Sequence, residues 1–202
     1  MAILIIFTAK RKQEGKQVLK IIKNWLYKRK LTKDEKLVTR HYTNPDFSGA
    51  VKIGLLGFAR NEEHLKKLEA YMHKLQQEGK EVNMLLFFPH KEIPHFCMPR
   101  LSVDFVPKKM LNWYSIPQGK KIRDFQRKPF DLLIDLCLEP RKETLYVVAT
   151  SKASMKVGLY KEERVKYYDF MLSCKNADSR NLDNYIREVE KYLKKINTAG
   201  YE

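Results

Sequence analysis

The chain has 202 residues, 44% hydrophobic and 32% charged, enough for one sizeable core beneath a soluble surface. Its net charge of +16 and sequence pI of ≈ 9.7 exclude an acidic solvating protein and point to a polyanionic partner, nucleic acid or an anionic membrane surface. No apolar run approaches the roughly 20 residues that span a bilayer, and three scattered cysteines, Cys97, Cys137 and Cys174, read as reduced thiols of a cytoplasmic protein.

The opening heptapeptide, MAILIIF, is apolar. Its positive charges follow the run and no small-residue cleavage site appears, which argues against a secretory signal. Residues 1–40 hold twelve Lys or Arg against three acids, a net +9, so more than half of the excess charge lies in the first fifth of the chain. Residues 8–31 read as a basic helix. Val18, Leu19, Ile22, Trp25 and Leu26 recur at three- and four-residue spacing and predict one apolar face. Lys16, Lys20, Lys23, Lys28 and Lys30 fall mostly on the others. Such a helix can pack its apolar face on a domain, lie as an arm on phosphates, or rest in a membrane interface. Residues 39–50, with turn signals at Asn44-Pro45-Asp46 and Ser48-Gly49, read as a linker to a folded domain over 51–202.

A strand is predicted over 51–58. Asn61 caps the helix that follows, with Glu62 and Glu63 in its first turn, and Gly79 ends it. A second strand runs over 81–88 and, after a loop rich in Pro and His, a third over 103–106. A short helix covers 120–127. Residues 129–158 then form a strand–helix–strand crossover: a buried run over 130–136, a helix over 141–151 and a strand over 155–157. After a basic loop come a last strand, 167–172, and a helix over 181–196. This order predicts a single Rossmann-like, three-layer α/β domain with a mostly parallel sheet, preceded by the basic N-terminal helix. The expected strand order is 3-2-1-4-5, with the last strand beside the fifth.

In open parallel sheets ligands bind at the carboxyl ends of strands, where the strand order reverses. Here Gly57, Arg60 and Asn61 would face Asp135 and Glu139 across that crevice. An acid there could hold a ribose hydroxyl, a base or a metal; the plainer role for Asp135 is to cap backbone N–H groups or to pair with Arg60. Gly54 and Gly57 lie inside a strand, where close helix packing explains them better than a pyrophosphate does. No phosphate loop, nucleophile elbow or H-E-x-x-H motif occurs. His90, His95 and Cys97 are zinc-ligand types at a spacing that matches no established pattern, so no metal is expected. Trp113 and Tyr114, close after Lys108 and Lys109, pair aromatic rings with positive charge, as base stacking requires. Together with Lys10, Arg11, Lys12 and Arg29 and the lysines of the helix, they make up the candidate nucleic-acid contacts.

The motifs FDLLIDL (130–136), SKASMKVGLY (151–160) and LNWY (111–114), with the basic helix, resemble a family of unknown function found chiefly in Bacteroidota. The likeness covers most of the chain and brings no activity with it. The apolar heptapeptide departs from the charged start expected of that family. More remotely, FDLLIDL, a helix, and a strand ending in Val157-Gly158 are similar to the N-terminal, acceptor-side half of heptosyltransferase-type glycosyltransferases. In those enzymes the nucleotide-sugar is held mainly by the second half, so the likeness implies a half-enzyme without a donor site. The reading that follows is a non-enzymatic, cytoplasmic protein without cofactor, ribosome- or membrane-associated, with nucleic acid, ribosomal RNA included, as the favoured partner. The alternatives are a small nucleotide- or sugar-nucleotide-binding α/β enzyme and a peripheral membrane protein.

Overall fold

The computed structural model describes residues 2–42, 47–173 and 181–198, with side chains over 15–42, 47–173 and 181–195. A parallel sheet forms because its strands are short and apolar and the segments between them, with an α-helix in three cases and loop or 3-10 turns in two, are long enough to cross over. The strands are β1 (Lys52–Phe58), β2 (Glu81–Phe87), β3 (Val103–Val106), β4 (Leu132–Asp135), β5 (Met155–Leu159) and β6 (Phe170–Leu172). Their spatial order is β3-β2-β1-β4-β5-β6, and every neighbouring pair is parallel. This is the order expected from the sequence, with the reversal between β1 and β4.

Helices cover both faces. On one, α2 (Glu62–Gln77) and α5 (Leu182–Thr198) set Leu68, Met72, Tyr185 and Val189 against Leu55, Ile134 and Val157. On the other, α3 (Lys120–Arg127) and α4 (Lys142–Thr150) set Ile122, Phe125, Val147 and Val148 against Leu56, Leu85 and Leu133. Asn61 caps α2 by accepting the His64 N–H at 3.0 Å, and Gly79 takes φ +81° just past its end.

The repeated residues of 129–158 have structural tasks. Asp131 accepts the N–H groups of Val51 and Lys52, both at 2.8 Å, and so fixes where β1 begins. Phe130 packs over Gly54, where an added Cβ would stand 2.9 Å from its ring. Gly158 likewise leaves room for the Tyr168 ring, since a Cβ there would sit 2.3 Å from it. The predicted last strand shortens to Phe170–Leu172 because Glu162–Tyr167 coils into 3-10 turns and Asp169 caps the sheet, accepting the Lys156 N–H at 2.8 Å.

Outside these layers lies α1 (Ala2–Glu35), an unbroken helix of 34 residues, about 50 Å long at 1.5 Å per residue. Tyr27 and Leu31, one turn apart, pack on Tyr146 and Ala149 of α4 and on Ile116. The Tyr27 hydroxyl donates to the Lys142 carbonyl at 2.7 Å, the Lys142 amine reaches Asn24, the Tyr146 hydroxyl donates to Asp34, and Lys166 pairs with Glu35 at 3.2 Å. Beyond the helix Arg40 grips Asp169 through two bonds of 2.6 Å. Of the three placements open to the apolar face, packing on the domain is therefore not the one seen. Val18, Leu19, Ile22 and Trp25 are exposed, and only Leu26 is half-buried. Polar matching decides the outcome: Asn24, Tyr27, Asp34 and Glu35 each find a partner on the domain.

Candidate functional site

The crevice at the carboxyl ends of β1 and β4 is a cleft of about 310 Å³. Its lining includes Phe58, Arg60, Asn61, Leu138, Glu139 and Arg141. Arg60, on the turn after β1, bonds to Glu139, and Arg141 reaches the same carboxylate at 3.2 Å while its guanidinium lies 3.2 Å from the centre of the Phe58 ring. The Arg60 bond comes first among the causes that hold the Glu139 carboxyl below its ordinary value. Three of the five crevice candidates, Arg60, Asn61 and Glu139, thus line one cleft. Its two guanidinium groups pair with Glu139, Arg141 reaching Glu143 as well at 3.5 Å, and Asn61 is occupied as a helix cap.

Gly57 and Asp135 do not belong to that lining. Gly57 is a packing glycine: an added Cβ would stand 2.8 Å from both Leu68 and Leu86. Asp135 points into the core, on the side of β4 that faces Tyr168. Its carboxylate accepts the Tyr168 hydroxyl at 2.7 Å and the Cys137 N–H at 3.0 Å. Burial raises its pKa, and the two donors oppose the rise. Cys137 lies on the cleft floor, and burial, then the charge of Asp135, pushes its thiol well above the usual range, which suppresses the nucleophilic thiolate. His90 and His95 are exposed while Cys97 is buried, so the three diverge. Among the described residues no three His, Cys, Asp or Glu side chains gather as a metal site.

The basic helix presents a different surface. Lys30 bonds to Asp34 at 2.9 Å, but Lys16, Lys20, Lys23 and Lys28 have no acidic partner among the described residues. Lys142, which the sequence reading missed, joins them from α4. Burial lowers its pKa most; Glu143 opposes that, and the amines of Lys20, Lys23 and Lys28 lower it further. The signal for Lys142 is long-range, since only docking of α1 on α4 brings it to the cluster. The side chains of Lys10, Arg11 and Lys12 lie outside the described residues, as does Cys174.

LNWY folds as a tight turn. Asn112 Oδ1 accepts the N–H groups of Tyr114 at 3.2 Å and Ile116 at 2.9 Å, and Ser115 takes φ +72°. The turn lodges Tyr114 against the Tyr27–Leu31 contact and leaves Trp113 exposed at its tip. The Lys23 amine lies 5.9 Å from the Trp113 ring. Trp113 and Tyr114 thus join the basic helix, whereas Lys109 turns away to pair with Glu92 and Lys108 stands exposed on its 3-10 turn. Along the last turns of α1, Trp25 and the exposed Leu37 border a shallow groove with Lys28, Arg29, Lys33 and Lys36.

The chain belongs to a family of unknown function (DUF6913), whose pattern matches residues 20–196. No curated protein matches it. Among solved structures it is similar to a glycosyl transferase family 9 protein from Veillonella parvula, at 13% identity and a TM-score of 0.48, over 75% of this chain and 43% of that one. It is also similar to the E. coli heptosyltransferase WaaC, solved with ADP, at 12% identity and a TM-score of 0.37, over 74% of this chain and 48% of that one. The chain spans less than half the length of either structure, and neither likeness carries a functional argument. Family and remote likeness both agree with the resemblance read from the motifs.

Proposed function

We propose that this is a non-enzymatic binding protein whose partner is a phosphate-bearing polyanion, held on the surface of α1. One observation carries the reading. Lys16, Lys20, Lys23 and Lys28 form a cationic surface without acidic partners among the described residues, and Lys20, Lys23 and Lys28 crowd Lys142, whose charged form is already disfavoured by burial. Amines held at close quarters repel one another, and an anion set among them relieves that repulsion. In the crevice, by contrast, Arg60 and Arg141 are already paired with Glu139 and Glu143.

The test is the salt dependence of binding to a generic polyanion such as heparin. Each cation neutralised on binding steepens the fall of affinity with salt. Replacing Lys20, Lys23 and Lys28 together by Gln is expected to weaken binding about tenfold or more at low salt and to flatten the slope. Binding that is unchanged in that variant removes α1 as the binding element.

A further inference from the structure

We infer that the polyanion is an anionic lipid bilayer, on which α1 lies flat with its apolar face inserted; this rests on the polyanion reading above. The observation behind it is the direction in which α1 docks. Tyr27 and Leu31 face the domain, and the larger apolar set, Val18, Leu19, Ile21, Ile22 and Trp25, is 42–62% exposed. Leu37, 75% exposed, extends the apolar surface past the end of the helix.

The charges are sorted in the same sense. Asp34 and Glu35 are used by Tyr146 and Lys166 of the domain, with Lys30 of the same helix also on Asp34. Lys28, Arg29, Lys33 and Lys36 border the groove between Trp25 and Leu37, which has no acid in its lining. Bulky apolar side chains rimmed by cations are complementary to an anionic headgroup layer over acyl chains. Nucleic acid would use the cations and a stacked ring, but it offers nothing to Val18, Leu19, Ile21 and Ile22. No described helix is long and apolar enough to cross a membrane, so the fitting geometry is in the interface plane. Trp113, exposed beside Lys23, supplies a second amphipathic ring next to the helix.

The experiment uses the full chain in flotation with vesicles of phosphatidylcholine, with and without phosphatidylglycerol, and filter binding of a structureless RNA on the same preparations. Three forms are compared: the native protein, the Ile22→Ser/Trp25→Ser variant, and the variant with Lys20, Lys23 and Lys28 replaced by Gln. Circular dichroism and thermal unfolding establish that each remains folded. The expected result is flotation of the native protein with phosphatidylglycerol vesicles only, and a loss of about tenfold or more in the Ser variant with its RNA retention unchanged. A Ser variant that floats like the native protein overturns the inserted face. Lysine-dependent RNA binding without flotation overturns the bilayer and leaves the polyanion reading standing. Binding to neither ligand overturns both.

Discussion

The crevice of the sheet and α1 both carry positive side chains, two arginines in the one and a run of lysines in the other, yet they use that charge in opposite ways. At the crevice Arg60 and Arg141 share Glu139, Asn61 is spent on a helix cap, and the buried carboxylate below is filled by Tyr168 and a backbone N–H. On α1 four lysines have no acidic partner among the described residues, and five large apolar side chains face outward. A polar group satisfied within its own chain is part of the architecture. Charge and apolar surface left open together point to what the molecule meets.

The largest effect is expected at Asp135. If it is architectural, Asp135→Ala leaves the Tyr168 hydroxyl and the Cys137 N–H unpaired in the core, and urea denaturation should show a loss of about 2–3 kcal/mol. A variant as stable as the native protein would return Asp135 to the list of ligand-binding groups. Next in size, Leu31→Ala removes a side chain that is 3% exposed at the only apolar contact described for α1 on α4. A loss of about 2 kcal/mol is expected. Hydrogen exchange should localise it, with amides near residues 24–35 losing protection while those of β1 and β4 keep theirs.

Lys156 sharpens the comparison through pH. It lies on β5 beneath the end of α1, near Arg40, Asp169 and Glu35, and burial, then Arg40, lowers its pKa from 10.5 to about 8. The folded state therefore binds fewer protons than the unfolded state between these values, and stability rises with pH across that window. Buried phenols act in the opposite sense above about pH 10: the pKa values of Tyr27, Tyr146 and Tyr168 are raised by burial, so stability then falls as unfolded tyrosines ionise. Between pH 7.5 and 9.5 a gain on the order of 1 kcal/mol is expected, and Lys156→Met should abolish it. A rise that survives the substitution belongs to another group. Smallest of all is Arg60→Ala. Its ion pair with Glu139 is more than half exposed on both sides, so a loss of at most about 0.5 kcal/mol is expected by thermal unfolding.

The strand order, the Asn61 cap and the Gly79 stop were legible because each depends on neighbours in sequence or on apolar runs bounded by turns. The faces of α1 were not. Periodicity marks Val18, Leu19, Ile22, Trp25 and Leu26 as one stripe but is silent on whether it turns in or out. The deciding contacts, Tyr27 with the Lys142 carbonyl and Asp34 with Tyr146, join residues more than a hundred positions apart. Tyr27, Leu31 and Asp34 do form a second stripe at helical spacing, and that stripe was the available clue. Asp135 caps a backbone N–H, the plainer role read for it, but its side-chain partner was hidden for a related reason. Alternation along a strand gives its side but not its partner, and Tyr168 reaches it only because Gly158 leaves space for the ring.

The two tryptophans of the chain permit the most direct test of the outward face. In Trp113→Phe, Trp25 is the sole indole, and its fluorescence can be followed as phosphatidylglycerol vesicles carrying brominated acyl chains are added. A face that inserts predicts a blue shift of Trp25 emission and quenching by the bromolipid, both reversed at high salt. Emission that keeps its exposed wavelength and escapes quenching while the protein is bound to the vesicles would contradict it.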